Sequence, residues 1–169
     1  MYSIKSEKNK SKMFNELIEE NKLKFYKTAK TILKNDDDVY DALQEALISI
    51  YNNLENLKNK KYFTTWSIRI VINKCYDILR KNKNNISLDT EEFKDTLSEY
   101  DSYNVDQYGL TKALSYLDKD LRLIVTLYYY DDLKVKEISK ITDTPEGTIK
   151  TKLAKARKIL KDKLGKEEI

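Results

Sequence analysis

Apolar residues recur every three or four positions through most of this chain, and the breaks in that rhythm divide it into helices. From Ser11 to about Asn35, Phe14, Leu17, Ile18, Phe25, Ala29, Ile32 and Leu33 trace one stripe of an amphipathic helix. Asn35 and the run Asp36, Asp37, Asp38 end it and open the next, because acidic side chains suit the positive end of a helix dipole. From Val39 the apolar positions 42, 43, 46, 47, 50, 51 and 54 keep helical period, leaving Asp41, Gln44 and Glu45 on the outer face. A short basic loop, Leu57 to Lys61, leads into a helix from about Tyr62 to Lys81. That helix is apolar on two sides, Phe63, Trp66 and Ile70 on one and Ile68, Ile72 and Leu79 on the other. Such a pattern predicts a central helix packed against both earlier ones, with Trp66 as a core anchor and Cys75 as a small buried apolar group.

Between Ile86 and Tyr108 the rhythm stops: seven acidic residues stand against one Lys, with five scattered Ser or Thr. This reads as an acidic linker, whose 23 residues reach about 75 to 80 Å when fully extended. Helical period resumes with LTKALSYL and DKDLRLIVTLYYYDDL, where Asp118 suits an N-cap and Leu121, Ile124, Val125 and Tyr128 mark a buried face. Of the three consecutive Tyr, one is expected in the core and two partly exposed. Leu133 to Leu164 then reads as two helices joined by a tight turn. The first buries Val135, Ile138 and Ile141; the second starts at Thr144 as N-cap with Pro145 at its first position. Its narrow stripe is Ile149, Leu153, Ala156, Leu160 and Leu164, opposite Thr151, Lys155 and Lys158, with Lys150 and Lys152 flanking. A supporting helix that props a polar one is the logic of a helix-turn-helix. The expected fold is all-α: two small helical domains, 11–85 and 109–165, joined by an acidic flexible linker over 86–108, the C-terminal one containing a helix-turn-helix.

Composition narrows the function. Three Gly and one Pro in 169 residues leave little material for hairpins, and no segment approaches a membrane span. The N-terminus carries charges and no apolar h-region, which predicts a cytoplasmic protein. One Cys and no His exclude most metal and nucleophile constellations, and no phosphate-binding Gly-rich loop or Ser-centred elbow is present. Neither a cofactor, a metal nor an enzymatic activity is therefore expected. Only four of the 32 basic residues are Arg, so charge by itself is weak evidence of a nucleic-acid site. From Pro145 to Gly165, however, seven basic residues face two acidic ones, in a helix-turn-helix context. Lys58, Asn59, Lys60 and Lys61, with Arg69, Asn73 and Lys74 on the helix behind them, suit single-stranded DNA, where lysines hold phosphates and Asn reads an exposed base edge.

EIS, ITDT and PEGTIKTKLAKAR resemble the last domain of the extracytoplasmic-function (ECF) sigma factors of bacterial RNA polymerase, whose pattern runs E-I-A, a turn, then P-x-G-T-V-K-S-R-L-x-R-A-R. DVYDALQEALISIY resembles the same family's D-L-V-Q-E-x-F helix, and the segment around Phe63 to Asn73 resembles its F-R-x-W-L-x-x-I-x-x-N. The resemblance covers most of the chain. It implies that Asp41, Gln44 and Glu45, with Ile48 beside them, dock on the clamp helices of core RNA polymerase. It implies that Leu57 through Lys61, with Arg69, Asn73 and Lys74, meet the melted minus-ten element of promoter DNA. Lys150, Thr151 and Lys152 become readers of the upstream element, and Lys155 and Lys158 its phosphate contacts. An anti-sigma factor is the inhibitory partner it implies, and the linker is expected to thread the polymerase channels. Leu57 departs from the aromatic residue common there, while Thr151 and Lys152 depart from Ser and Arg, which bears on the promoter sequence and not on the class. A helix-turn-helix regulator acting outside polymerase accounts only for the C-terminal half, and a helical adaptor accounts for neither motif.

Overall fold

In the computed structural model, residues 2–85, 109 and 112–165 are described, and among them every regular element is helical. The long first helix α1, Tyr2–Ile32, begins nine residues before the start expected at Ser11. Its end is sharp. Leu33 closes the last turn onto the Ala29 carbonyl, and Asn35 takes an extended conformation and accepts the Asp37 amide on its side chain at 2.7 Å. That cap and the three acidic residues after it start α2, Asp36–Asn53, and Lys30 reaches back to Asp36 at 2.5 Å. Val39, Ala42, Ala46 and Ile50 are its buried stripe, and the two alanines let α3, Phe63–Asn85, approach closely. Two short 3-10 turns, Leu54–Asn56 and Lys60–Tyr62, carry the chain between them.

α3 is the centre of the N-terminal domain, as its two apolar sides predict. Phe63, Ile68, Val71, Ile72, Cys75 and Ile78 are buried between α1 and α2. Trp66 departs from expectation: it is only half-buried, tilted against Phe63 at 6.0 Å, so Phe63 is the anchor and Trp66 its cover. Burial pushes the Cys75 thiol up to about 12, leaving it protonated and unreactive at neutral pH. The acidic linker expected over 86–108 lies outside the described residues.

The C-terminal domain resumes in a helical turn at 112–115, then α4, Lys119–Val125, whose N-cap Asp118 accepts the Leu121 amide at 2.9 Å as expected. α4 runs into a π-helical turn, Thr126–Tyr130, that the sequence pattern did not announce. The wider turn shifts the phase of the tyrosines. Tyr128 and Tyr130 are half-buried and Tyr129 exposed, so none of the three is a core residue and Leu127 takes that place. α5, Val135–Thr142, buries Ile138 and Ile141, and α6, Glu146–Leu164, buries Ile149, Leu153 and Ala156. Val135 and Leu160 are half-buried and Leu164 exposed, so the expected stripe is buried only over its first half. Asp143 adopts the left-handed conformation, φ 49°, that ends α5 and makes the tight turn. Pro145 itself occupies the N-cap of α6, one residue later than predicted, and the Thr144 hydroxyl turns back to donate to the Thr142 carbonyl at 3.1 Å.

Apolar residues of both domains form one continuous cluster, because α1 packs on α4 and the π turn while α3 packs on α5.

Candidate functional site

The outer face of α2 leaves Asp41 and Gln44 exposed and Glu45 half-buried, one turn before Ile48, which is 63% exposed. Ile48 is thus an apolar side chain presented to solvent on an otherwise polar face. A groove of about 360 Å³ runs beside them, walled on the far side by Ile78 and Lys81 of α3. Glu45 lies 3.8 Å from both Lys81 and Lys74. At that distance both pairs are loose and exchangeable for a partner's cations.

The loop before α3 is held by its neighbours. Thr64 donates to the Asn21 side chain at 2.8 Å, pinning the start of α3 to α1. Asn59 accepts the Lys61 amide at 2.9 Å and so shapes the 3-10 turn. Leu57 is half-buried against the core, whereas Lys58, Asn59, Lys60 and Lys61 are exposed. Tyr62, at the end of the same turn, is 56% exposed and was missed by sequence reasoning, which assigned it to the helix. An exposed aromatic beside three lysines is a stacking platform in the making. Further along, Arg69 and Asn73 are both exposed one turn apart on α3, but Lys74 turns to the other side toward Glu45.

On α6, Lys150, Thr151, Lys155 and Lys158 are exposed, and the Thr151 hydroxyl donates back to the Gly147 carbonyl at 3.0 Å. Its methyl and lone pairs remain free to meet a base. Lys152 is set apart: half-buried, it pairs with Asp120 of α4 at 2.5 Å. Arg157, which no role was assigned, donates to the Tyr129 hydroxyl at 2.6 Å and braces the π turn.

The structure thus separates three surfaces but brings two of them together at their edges. Asn73 of α3 and Lys152 of α6 line one cleft of about 240 Å³ with Tyr76, Asp120, Asp143 and Thr144, and Arg69 stands 3.6 Å from Asp143. Lys150, Thr151, Lys155 and Lys158 are not part of that cleft.

Residues 17–85 match the Sigma-70 region 2 family and residues 109–160 match Sigma-70, region 4, the two spans that hold these surfaces. The chain belongs to the ECF sigma factors. It is 31% identical over 152 residues to RNA polymerase sigma factor SigV of Bacillus subtilis (strain 168), covering 90% of this chain and 91% of the other. To the ECF RNA polymerase sigma-E factor of Escherichia coli (strain K12) it is 28% identical over 141 residues, 75% of this chain and 74% of the other. Two solved structures share the fold. One is the sigma factor RpoE in complex with the anti-sigma factor NepR from Bartonella quintana, with TM-score 0.68, 20% identity and coverage of 87% and 95%. The other is CnrH in complex with the cytosolic domain of CnrY, with TM-score 0.64, 17% identity and coverage of 92% and 89%. This ECF sigma factor is an alternative sigma subunit of RNA polymerase, and a region 2 match in the N-terminal half disfavours a helix-turn-helix regulator acting alone. Among the described residues no helix is long and apolar enough to cross a membrane.

Proposed function

We propose that this ECF sigma factor docks on core RNA polymerase through the α2 face of Asp41, Gln44 and Glu45, and reads a two-part promoter with the two other surfaces. The observation that carries the reading is the outward display, on one chain, of the Gln44 to Ile48 groove, the Arg69 and Asn73 edge of α3, and the Lys150 to Lys158 face of α6. Lys58, Lys60 and Lys61 hold the phosphates of the melted strand and Asn73 reads an unpaired base. Lys74, being turned to Glu45, serves this strand only after that loose pair is released. The chain acts in the cytoplasm, with polymerase, and carries no catalytic residue of its own. An anti-sigma factor is its inhibitory partner, as the name of the RpoE–NepR complex suggests for that sigma factor, and affinity capture from unstressed cells is the way to find it.

Asn73→Ala is expected to slow open-complex formation while leaving core binding intact, with rescue on a template already melted by a mismatched bubble. Loss of core binding instead, or no effect on melting, would overturn the assignment of Asn73. On α6, replacing Lys150 or Thr151 is expected to cost about 1 to 3 kcal/mol at one promoter position and relax preference there. Replacing Lys155 or Lys158 weakens all promoters alike and lowers the salt slope by about one. Lys152 belongs with the base readers once Asp120 releases it, and holoenzyme transcription across single-base variants at two salt concentrations sorts the five. A uniform loss with Lys152→Ala moves it to the phosphate group.

A further inference from the structure

α1 begins at Tyr2 and the region 2 match at residue 17, so about four helical turns stand ahead of the part shared with the family. Tyr51, near the end of α2, receives them on three sides. Its hydroxyl lies 3.2 Å from the Ser11 hydroxyl, its ring packs edge-on with Phe14 at 5.1 Å, and the Lys10 ammonium sits 4.8 Å from the ring centre. Lys10 also reaches Glu55 at 3.3 Å, in the 3-10 turn that leads to the exposed Lys58, Lys60 and Lys61. A few turns of isolated helix are marginal in water, so this anchorage both keeps the start of α1 formed and fixes it beside the basic loop.

Four Lys and one Glu fall between residues 2 and 15, and the exposed side chains there, Ser6 to Asn9, Lys12 and Asn15, are all polar. Met13 and Phe14 are turned onto the core cluster. A helix that docks in an apolar groove or lies in a membrane surface needs an exposed apolar face, and this stretch has none among the described residues. Its lysines also differ from those further along α1. Lys22 pairs with Glu19, Lys24 with the Asp131 carbonyl, Lys27 with the Tyr130 ring and Lys30 with Asp36. Lys8 and Lys12 are exposed one turn apart on one face, and among the described residues neither has a carboxylate within ion-pair distance. Unpaired cations on a wholly polar face, next to a basic loop, fit the phosphates of a nucleic acid.

We propose that the first turns of α1 form an arm that carries the displaced promoter strand beyond the Lys58 to Lys61 loop, with Lys8 and Lys12 holding its phosphates and Lys10, Ser11 and Phe14 positioning the arm on Tyr51. The arm adds affinity without sequence preference, because phosphate contacts carry no base information. It rests on the reading of the loop as a strand contact.

The test uses holoenzyme on a template already melted by a mismatched bubble, with the lifetime of the complex followed at low and fourfold higher salt. Lys8→Ala with Lys12→Ala is expected to lower the salt slope by about 1.4, the share of two single-strand phosphates, so the rise in salt weakens the parent about sevenfold more than the variant. Core affinity and the ranking of promoter variants stay as in the parent. A benzophenone amino acid at Asn15, exposed one turn beyond Lys12, is expected to crosslink to the displaced strand. Equal salt slopes, or a crosslink to a polymerase subunit instead of that strand, overturn the arm. Lys60→Ala with Lys61→Ala, run in parallel, separates the two failures: a silent loop variant sinks the loop reading and the arm with it, whereas a loss there beside a silent arm variant confines the failure to the arm.

Discussion

Replacing Gln44 and Glu45 together with Lys is expected to abolish assembly with core RNA polymerase, while the chain remains folded. Gln44 is exposed and Glu45 half-buried on the one face of α2 that also presents Ile48 to solvent. A partner that covers this groove removes water from the carboxylate and must supply it with a cation or donors, so reversing the charge leaves like charges buried together. Losing one such pair costs on the order of 2 to 5 kcal/mol at a desolvated interface, enough to take assembly below detection at ordinary concentrations. The intramolecular cost is smaller. Glu45 sits 3.8 Å from Lys74 and Lys81, and exposed pairs at that distance contribute about 0 to 1 kcal/mol. Gln44→Lys alone leaves those pairs intact and serves as the intermediate case. Core affinity measured beside a thermal melt decides the matter: unchanged affinity removes α2 from the interface, and a collapsed melt shows a defect of folding.

What was legible in the sequence is what repeats locally. The 3.6-residue rhythm gave α2, α3 and the helix-turn-helix, Asn35 with the acidic run after it marked a helix boundary, and Asp118 was a recognisable cap because capping acts over two or three residues. The π turn at Thr126–Tyr130 was hidden, since one extra residue per turn shifts the phase without any distinguishing composition, and the tyrosine trio was misread for that reason. Trp66 was misjudged because two apolar sides of a helix do not say which is covered more deeply. The docking of the domains was hidden altogether. Thr28 lies 103 residues from Asp131, and a Thr in an amphipathic helix or an Asp before a turn carries no long-range signal. Among the candidate site residues, exposure followed the helical wheel for Asp41, Gln44, Asn73 and Thr151, but Leu57, Lys74 and Lys152 found local partners that only packing could reveal.

Asp131 makes the contact between the domains sensitive to pH, and the expected result is that the closed form loosens as pH rises from about 4 to about 7. Burial raises its carboxyl to about 7, against the lowering effects of the Thr28 hydrogen bond and of Lys24 and Lys27, the two cations that α1 turns toward it. Its second oxygen, Oδ1, has no hydrogen-bond partner, which suits a protonated group. In an opened seam the same side chain meets water and returns to about 3.9. Between these two values the closed form holds more protons than the open one, so closure is strongest below the lower value and weakens by about 1.4 kcal/mol per pH unit up to the higher, beyond which it is level. Asp131→Asn keeps an acceptor for the Thr28 hydroxyl and removes the ionisation. That variant should stay closed across the whole range, most visibly above pH 7, where the parent must bury a carboxylate. Energy transfer between dyes on the two domains, followed from about pH 4 to about pH 8 in parent and variant, checks it. Parallel curves would show that Asp131 does not govern the seam, whereas a slope present in the parent and absent in the variant assigns the proton to this one carboxyl.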